Sequence, residues 1–156
     1  MRKIALALCL TCAAPAFAAD PAVAYPKGFR DWKYVKSMVI NKGHPLYDAV
    51  GGFHHIYANP AAVRGYQSRK WADGSVIVFD LFETVDKDNA VFDGSRKVVV
   101  VMERNARKFQ ATDGWGYQVF DAKTKKGRLD AKAAADCAAC HSTQKAAGYV
   151  FSELSD

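Results

Sequence analysis

The chain has 156 residues, half of them hydrophobic, and 22 Lys+Arg against 16 Asp+Glu give a formal charge of +6. That length bounds it to a single domain that can bury roughly two-thirds of its unfolded surface. The charge excess is too mild to point to nucleic-acid binding, and no apolar run is long enough to span a bilayer.

The chain starts Met1-Arg2-Lys3, continues through the apolar run IALALCLTCAAPAFA, and reaches the A-x-A site Ala16-Phe17-Ala18. This order predicts a secretory signal peptide over residues 1–18, cleaved after Ala18. A membrane anchor fits less well, because the run is short and holds Pro15. Cys9 and Cys12 leave with the leader, and neither has the context of a lipid-anchored cysteine. Loss of Arg2 and Lys3 lowers the charge to about +4. The expectation is a soluble, periplasmic protein with one domain over residues 19–156.

The next elements read mostly as strands. "WKYVKSMVI" (32–40) and "GFHHIYA" (52–58) are candidates. Asn59-Pro60 predicts an N-cap and first helical residue, opening a helix over 60–70. "SVIVFDLFE" (75–83) alternates, with Ile77, Phe79 and Leu81 on one face and Val76, Val78, Asp80 and Phe82 on the other. "RKVVVVMER" (96–104) is a continuous β-branched run, and "GWGYQVFDA" (114–122) is aromatic-rich. Asp73-Gly74 and Asp93-Gly94 read as turns. "KTKKGR" (123–128) reads as a solvated basic loop, with docking to an acidic redox partner as the alternative. Asp130 predicts the cap of an Ala-rich helix over 131–147. Together these predict an α+β fold: an antiparallel β-sheet core with a few helices, the last of them C-terminal.

That last helix holds the chemistry. Cys137-Ala-Ala-Cys140-His141 has the c-type haem attachment spacing. Two thiols at this spacing add to the two vinyl groups of one haem edge, and the following histidine supplies an imidazole to the iron. A redox-active Cys-x-x-Cys belongs early in a βαβ chain, whereas this one comes last. A zinc site built from Cys137, Cys140 and His141 needs a distant fourth ligand. One covalent haem c per chain, with His141 on the iron, is the expectation.

The opposite side of the iron decides between electron carrier, gas binder and enzyme. Nothing after His141 is Met or His, so a sixth ligand must come from upstream: Met38, Met102, His44, His54 or His55. Met102 lies in an apolar strand and reads as core, and His44 lies in a loop. His54 and His55 are adjacent in a strand, so at most one enters the pocket. Either one with Arg64 would suggest a peroxidase.

The chain resembles the cytochrome P-460 family, most of all its cytochrome c′-beta branch. The resemblance rests on "PKGFRDWKYV", "IYANPAA", "WADGSVIVFDLFE", "ERNARKFQATDGWGYQVFDA" and "CAACHSTQKAAGYVFSEL", in this order. It implies a homodimer of mostly antiparallel β fold, one c-type haem per chain, and His141 as the sole protein ligand. P-460 members that oxidise hydroxylamine carry a strand lysine cross-linked to the porphyrin, in a segment resembling DGTVIVKEL. This chain reads DGSVIVFDL, with Phe79 at the lysine position. Lys70 and Lys97 lie elsewhere and read as surface lysines. The branch it resembles has a distal phenylalanine cap and is associated with nitric oxide and carbon monoxide binding. Phe79 is therefore the expected distal cap, and Phe53 a second candidate for the wall. The expected function is gas binding at a five-coordinate iron. Hydroxylamine or nitric oxide oxidation, and electron transfer with a sixth His or Met, are the alternatives. A redox partner protein is possible under any of these readings.

Overall fold

The computed structural model describes residues 22–155, so the expected leader over residues 1–18 lies outside the described residues. Five strands form one antiparallel meander in sequence order: β1 (Lys33–Ile40), β2 (Gly52–Ala58), β3 (Val76–Lys87), β4 (Ala90–Arg104) and β5 (Trp115–Asp121). Three helices accompany them: α1 (Tyr47–Val50), α2 (Pro60–Ser68) and α3 (Ala131–Ser142). The α+β expectation holds. No helix among the described residues is long and apolar enough to cross a membrane.

Local chemistry sets the helix starts. The Asn59 side chain accepts from the backbone N–H groups of Ala62 (2.9 Å) and Val76 (3.1 Å), which caps α2 and ties it to β3. Asp130 accepts from Ala133 N at 2.8 Å and caps α3. The helix ends at Ser142 rather than continuing to 147, and a separate single turn follows at Lys145–Ala147.

Cross-strand pairing sorts side chains into two faces. One face carries Ile56, Ala58, Ile77, Met102, Trp115 and Tyr117, covered by Ala62 and Tyr66 of α2, by Val150, and by Cys137 and Ala138 of α3. Both α2 and α3 lie on this face. The other face carries Val78, Val99, Val101 and Phe120, covered by Val23, Phe29 and Phe109. At its centre Asp80 is fully buried, paired with Arg96 at 2.8 Å and Arg30 at 3.1 Å. Arg96 also lies over the rings of Phe82 and Phe29. The segment before β1 thus makes a second core, which strand alternation alone did not announce.

One turn is corrected. Asp93-Gly94 is not a turn, because Asp93 pairs with Thr84 inside the β3–β4 ladder. The reversal falls at Asp88-Asn89, whose φ angles of 53° and 60° have the sign that a two-residue type I′ hairpin requires. Both strands are consequently longer than expected. From Thr84 to Asp93 they project as a two-stranded arm beyond the ends of β2 and β5, with Val85, Val91 and Phe92 exposed.

Candidate functional site

Cys137, Cys140 and His141 stand at i, i+3 and i+4 on α3, which places all three along one stripe of the helix. Both thiols are free, with Cys137 half-buried and Cys140 exposed. Burial is the main cause that pushes the Cys137 thiol up, with Asp136 adding to it.

His141 is the most constrained of the three. Its ring lies 4.9 Å from Tyr117 and 5.0 Å from Phe151, centroid to centroid. Its Nδ1–H donates to the carbonyl of Tyr149 at 2.7 Å. A carbonyl only accepts, so the proton is on Nδ1 and the lone pair is on Nε2. Burial pulls the imidazole below its usual range, more than the Tyr149 bond raises it. A neutral ring with a free Nε2 is the state a metal ligand needs.

The Tyr149 carbonyl is delivered by the chain reversal after α3. Gly148 has φ +72°, and a Cβ there would collide with the Trp71 ring. Trp71 also packs on Tyr66 and Trp115, at 4.9 and 5.6 Å. The tail beyond is fastened by Tyr66 OH to Ser152 Oγ at 2.6 Å, and by Ser155 N to the Val35 carbonyl at 3.1 Å. Trp71, Gly148 and Tyr149 escaped the sequence reading. A glycine shortly after a helix was the only signal for them.

Phe79 is on the sheet face that α3 covers, in the same apolar cluster as Cys137 and Ala138. Pairing aligns Ile56, Phe79, Val100 and Val119 in one row across β2 to β5. Ile56 is buried, whereas Phe79, Val100 and Val119 are each only half-covered. The adjacent row of Ile77, Met102 and Tyr117 is fully covered. An apolar strip with uncovered surface therefore borders the Cys-x-x-Cys-His helix.

Phe53 lies apart from Phe79. It pairs with Phe82 and packs against His55, on the sheet face opposite Phe79 and α3. The side-chain period of two puts Phe53 and His54 on opposite faces, and Phe79 and α3 share the face of His54.

The other upstream candidates are also placed. His54 is fully buried on the site face, with Nε2–H donating to the Val50 carbonyl at 2.9 Å. His55, on the far face, contacts Ser37 Oγ at 2.6 Å and Asp93 at 3.4 Å. His44 is exposed and accepts from Leu46 N at 3.1 Å. Met102 is core, and Met38 is on the surface opposite His54 in the ladder. Arg64 and Lys70 are exposed, and Lys97 Nζ donates to the Gly51 carbonyl at 2.7 Å. The 123–128 loop is exposed, as expected. An open cleft of about 610 Å³ is lined by Ile40, Tyr47, Gly52, Glu83 and Lys97, and touches neither Cys137 nor His141.

These residues suit a haem. There is a neutral imidazole with a free nitrogen, two thiols on the same helical stripe, and half-covered apolar side chains beside them. The buried Tyr117 hydroxyl, against the His141 ring, has no partner within the described protein. No curated protein matches the chain in sequence. The family profile described as Cytochrome P460 matches residues 26–152, a span from before β1 to beyond His141. The chain belongs to the cytochrome P460 family, and is a haem cytochrome.

Proposed function

We propose that this chain is an exported, periplasmic mono-haem cytochrome c, folded as one domain over residues 19–156, whose five-coordinate iron binds small gases such as nitric oxide and carbon monoxide. The observation that carries the proposal is the apolar row Ile56, Phe79, Val100 and Val119, half-covered and next to the helix of His141. Cys137 and Cys140 would hold the haem by thioether bonds, and His141 Nε2 would hold its iron. The bound haem supplies an iron with one open coordination position.

The protein's part is orientation and exclusion. Tyr149 fixes the His141 ring and its tautomer. The Phe79 row offers contact area without a hydrogen-bond donor, which disfavours water and anions relative to neutral diatomic molecules. Hydroxylamine oxidation of the cross-linked kind lacks its lysine, because Phe79 has no nucleophile. Of the candidates for a sixth ligand, Met102 is packed among core side chains, and His54 is wedged against Phe79 with Nε2 bound to Val50 and Nδ1 unpartnered, so the spin state of the iron decides whether His54 ligates.

The proposed oligomer is a homodimer. The β3–β4 arm supports it, since a two-stranded ribbon exposing Val85, Val91 and Phe92 is marginal in water by itself.

Two measurements test the proposal. Intact mass of denatured exported protein should equal residues 19–156 plus one haem. Absorption spectra should show high-spin, five-coordinate iron in both oxidation states. A low-spin resting spectrum would promote the electron carrier, and a porphyrin cross-link band would promote hydroxylamine chemistry.

A further inference from the structure

We infer that His54 is the positioning residue of the distal face: its imbedded imidazole ring holds Phe79 in place and thereby sets access to the iron. The inference rests on the distal role proposed for Phe79.

His54 has no free surface, yet it is a polar side chain in the middle of a sheet face. Its ring lies 4.0 Å from the Phe79 ring, centroid to centroid, at an interplanar angle of 33°. The register explains this contact. Leu81 pairs with His54 and Ile56 pairs with Phe79, so the two rings are diagonal neighbours across β2 and β3.

The histidine is itself anchored. Nε2–H donates to Val50 O at the end of α1, and Lys97 Nζ holds the next carbonyl, that of Gly51. Phe79 has no such tether. It is only partly buried, as are its row neighbours Val100 and Val119, so fewer contacts restrict rotation of its ring. The close, tilted contact with a fixed imidazole limits that rotation on one flank.

Packing alone does not account for a histidine here. Nδ1 is buried and has no partner in the described protein, a cost that an apolar side chain would avoid. Burial also pulls the ring below its usual titration range, more strongly than the Val50 bond raises it, so it stays neutral beside Phe79. A position that accepts an unsatisfied atom is one not tuned for stability alone.

The test uses holoprotein carrying His54→Ala, His54→Gln and His54→Phe, each also combined with Phe79→Ala. The readouts are ferric affinity for azide, the carbon monoxide association rate, and the Phe79 ring-flip rate by NMR in the diamagnetic ferrous carbonyl form. His54→Gln keeps an N–H for Val50 but loses the flat ring, so it decides the question even where His54→Ala does not fold. The Ala and Gln changes should each raise azide affinity and the association rate by about tenfold, as expected for coupled neighbours. Phe79 ring flips should speed up with them. His54→Phe restores a ring without the Val50 anchor and should return both constants only part of the way toward wild type. In the Phe79→Ala background, changing His54 should add nothing.

Unchanged constants in His54→Gln, where Phe79→Ala alone shifts them, would overturn the inference and leave the distal cap standing. A silent Phe79→Ala would remove the distal cap, and this inference with it.

Discussion

His141 Nδ1 donates to the Tyr149 carbonyl oxygen at 2.7 Å, across a reversal of eight residues in the same chain. The bond orients the imidazole, selects its tautomer and raises the basicity of the free nitrogen, as outer partners of ligating histidines generally do. It depends on Gly148, whose φ of +72° and close approach to Trp71 exclude a side chain.

Gly148→Ala should therefore harm ligation as well as stability. The left-handed backbone alone costs about 1–2 kcal/mol for a residue with a Cβ, and the Trp71 collision adds to it. The iron–histidine stretching band should move or broaden, and thermal unfolding should begin earlier. An unshifted band would show that Tyr149 is not what orients His141.

Phe79→Ala should open the proposed distal side. The stability loss should fall near 3 kcal/mol, the low end for a buried Phe→Ala change, because the ring is only half-covered. Ferric iron should take up water or azide more readily, and carbon monoxide association should accelerate, both followed by absorption spectroscopy. Phe53→Ala, on the opposite sheet face, should leave these constants at wild-type values.

Asp80→Ala should destabilise the protein without altering the haem spectrum. It strips the partner from Arg96 and Arg30 on the face away from α3. Removing one member of a buried ion pair costs about 3 kcal/mol, toward the low end here because Arg30 remains half exposed. Urea unfolding and the visible spectrum, measured together, check both halves of the statement.

The pH dependence of stability should carry a His54 component. Burial lowers its folded pKa below the unfolded value of 6.5. The unfolded chain then binds the proton more readily, so stability is full above 6.5 and is lost progressively as pH falls from 6.5 toward the depressed folded value. His54→Phe should flatten that part of the curve. Stability profiles of wild type and variant that run parallel below 6.5 would show that His54 does not contribute.

Val91→Ser with Phe92→Asp should convert the proposed homodimer to monomer in light scattering, with the haem spectrum unchanged. The two residues lie on the arm, which receives no third strand from the described residues. A dimer that survives the double change would place the interface elsewhere.

Much of this was legible in the chain alone. Spacing put Cys137, Cys140 and His141 on one helical stripe, because a helix repeats every 3.6 residues regardless of what it packs against. Asn59-Pro60 and Asp130 announced their helices, because capping uses only neighbouring atoms. Alternation separated Ile77, Phe79 and Leu81 from Val78, Asp80 and Phe82, because the strand period of two is equally local.

Choices between local equivalents needed the tertiary structure. Asp88-Asn89 and Asp93-Gly94 both have turn composition, and only the register of β3 on β4 makes the first the reversal and the second a strand. Phe53 and His54 are adjacent, and only the register of β2 on β3 puts His54 beside Phe79, while the side on which α3 packs leaves Phe53 behind the sheet. Tyr149 reaches His141 because Trp71, brought from far upstream, fixes the backbone at Gly148. Periodicity states which side chains share a face, whereas long-range pairing states what that face meets.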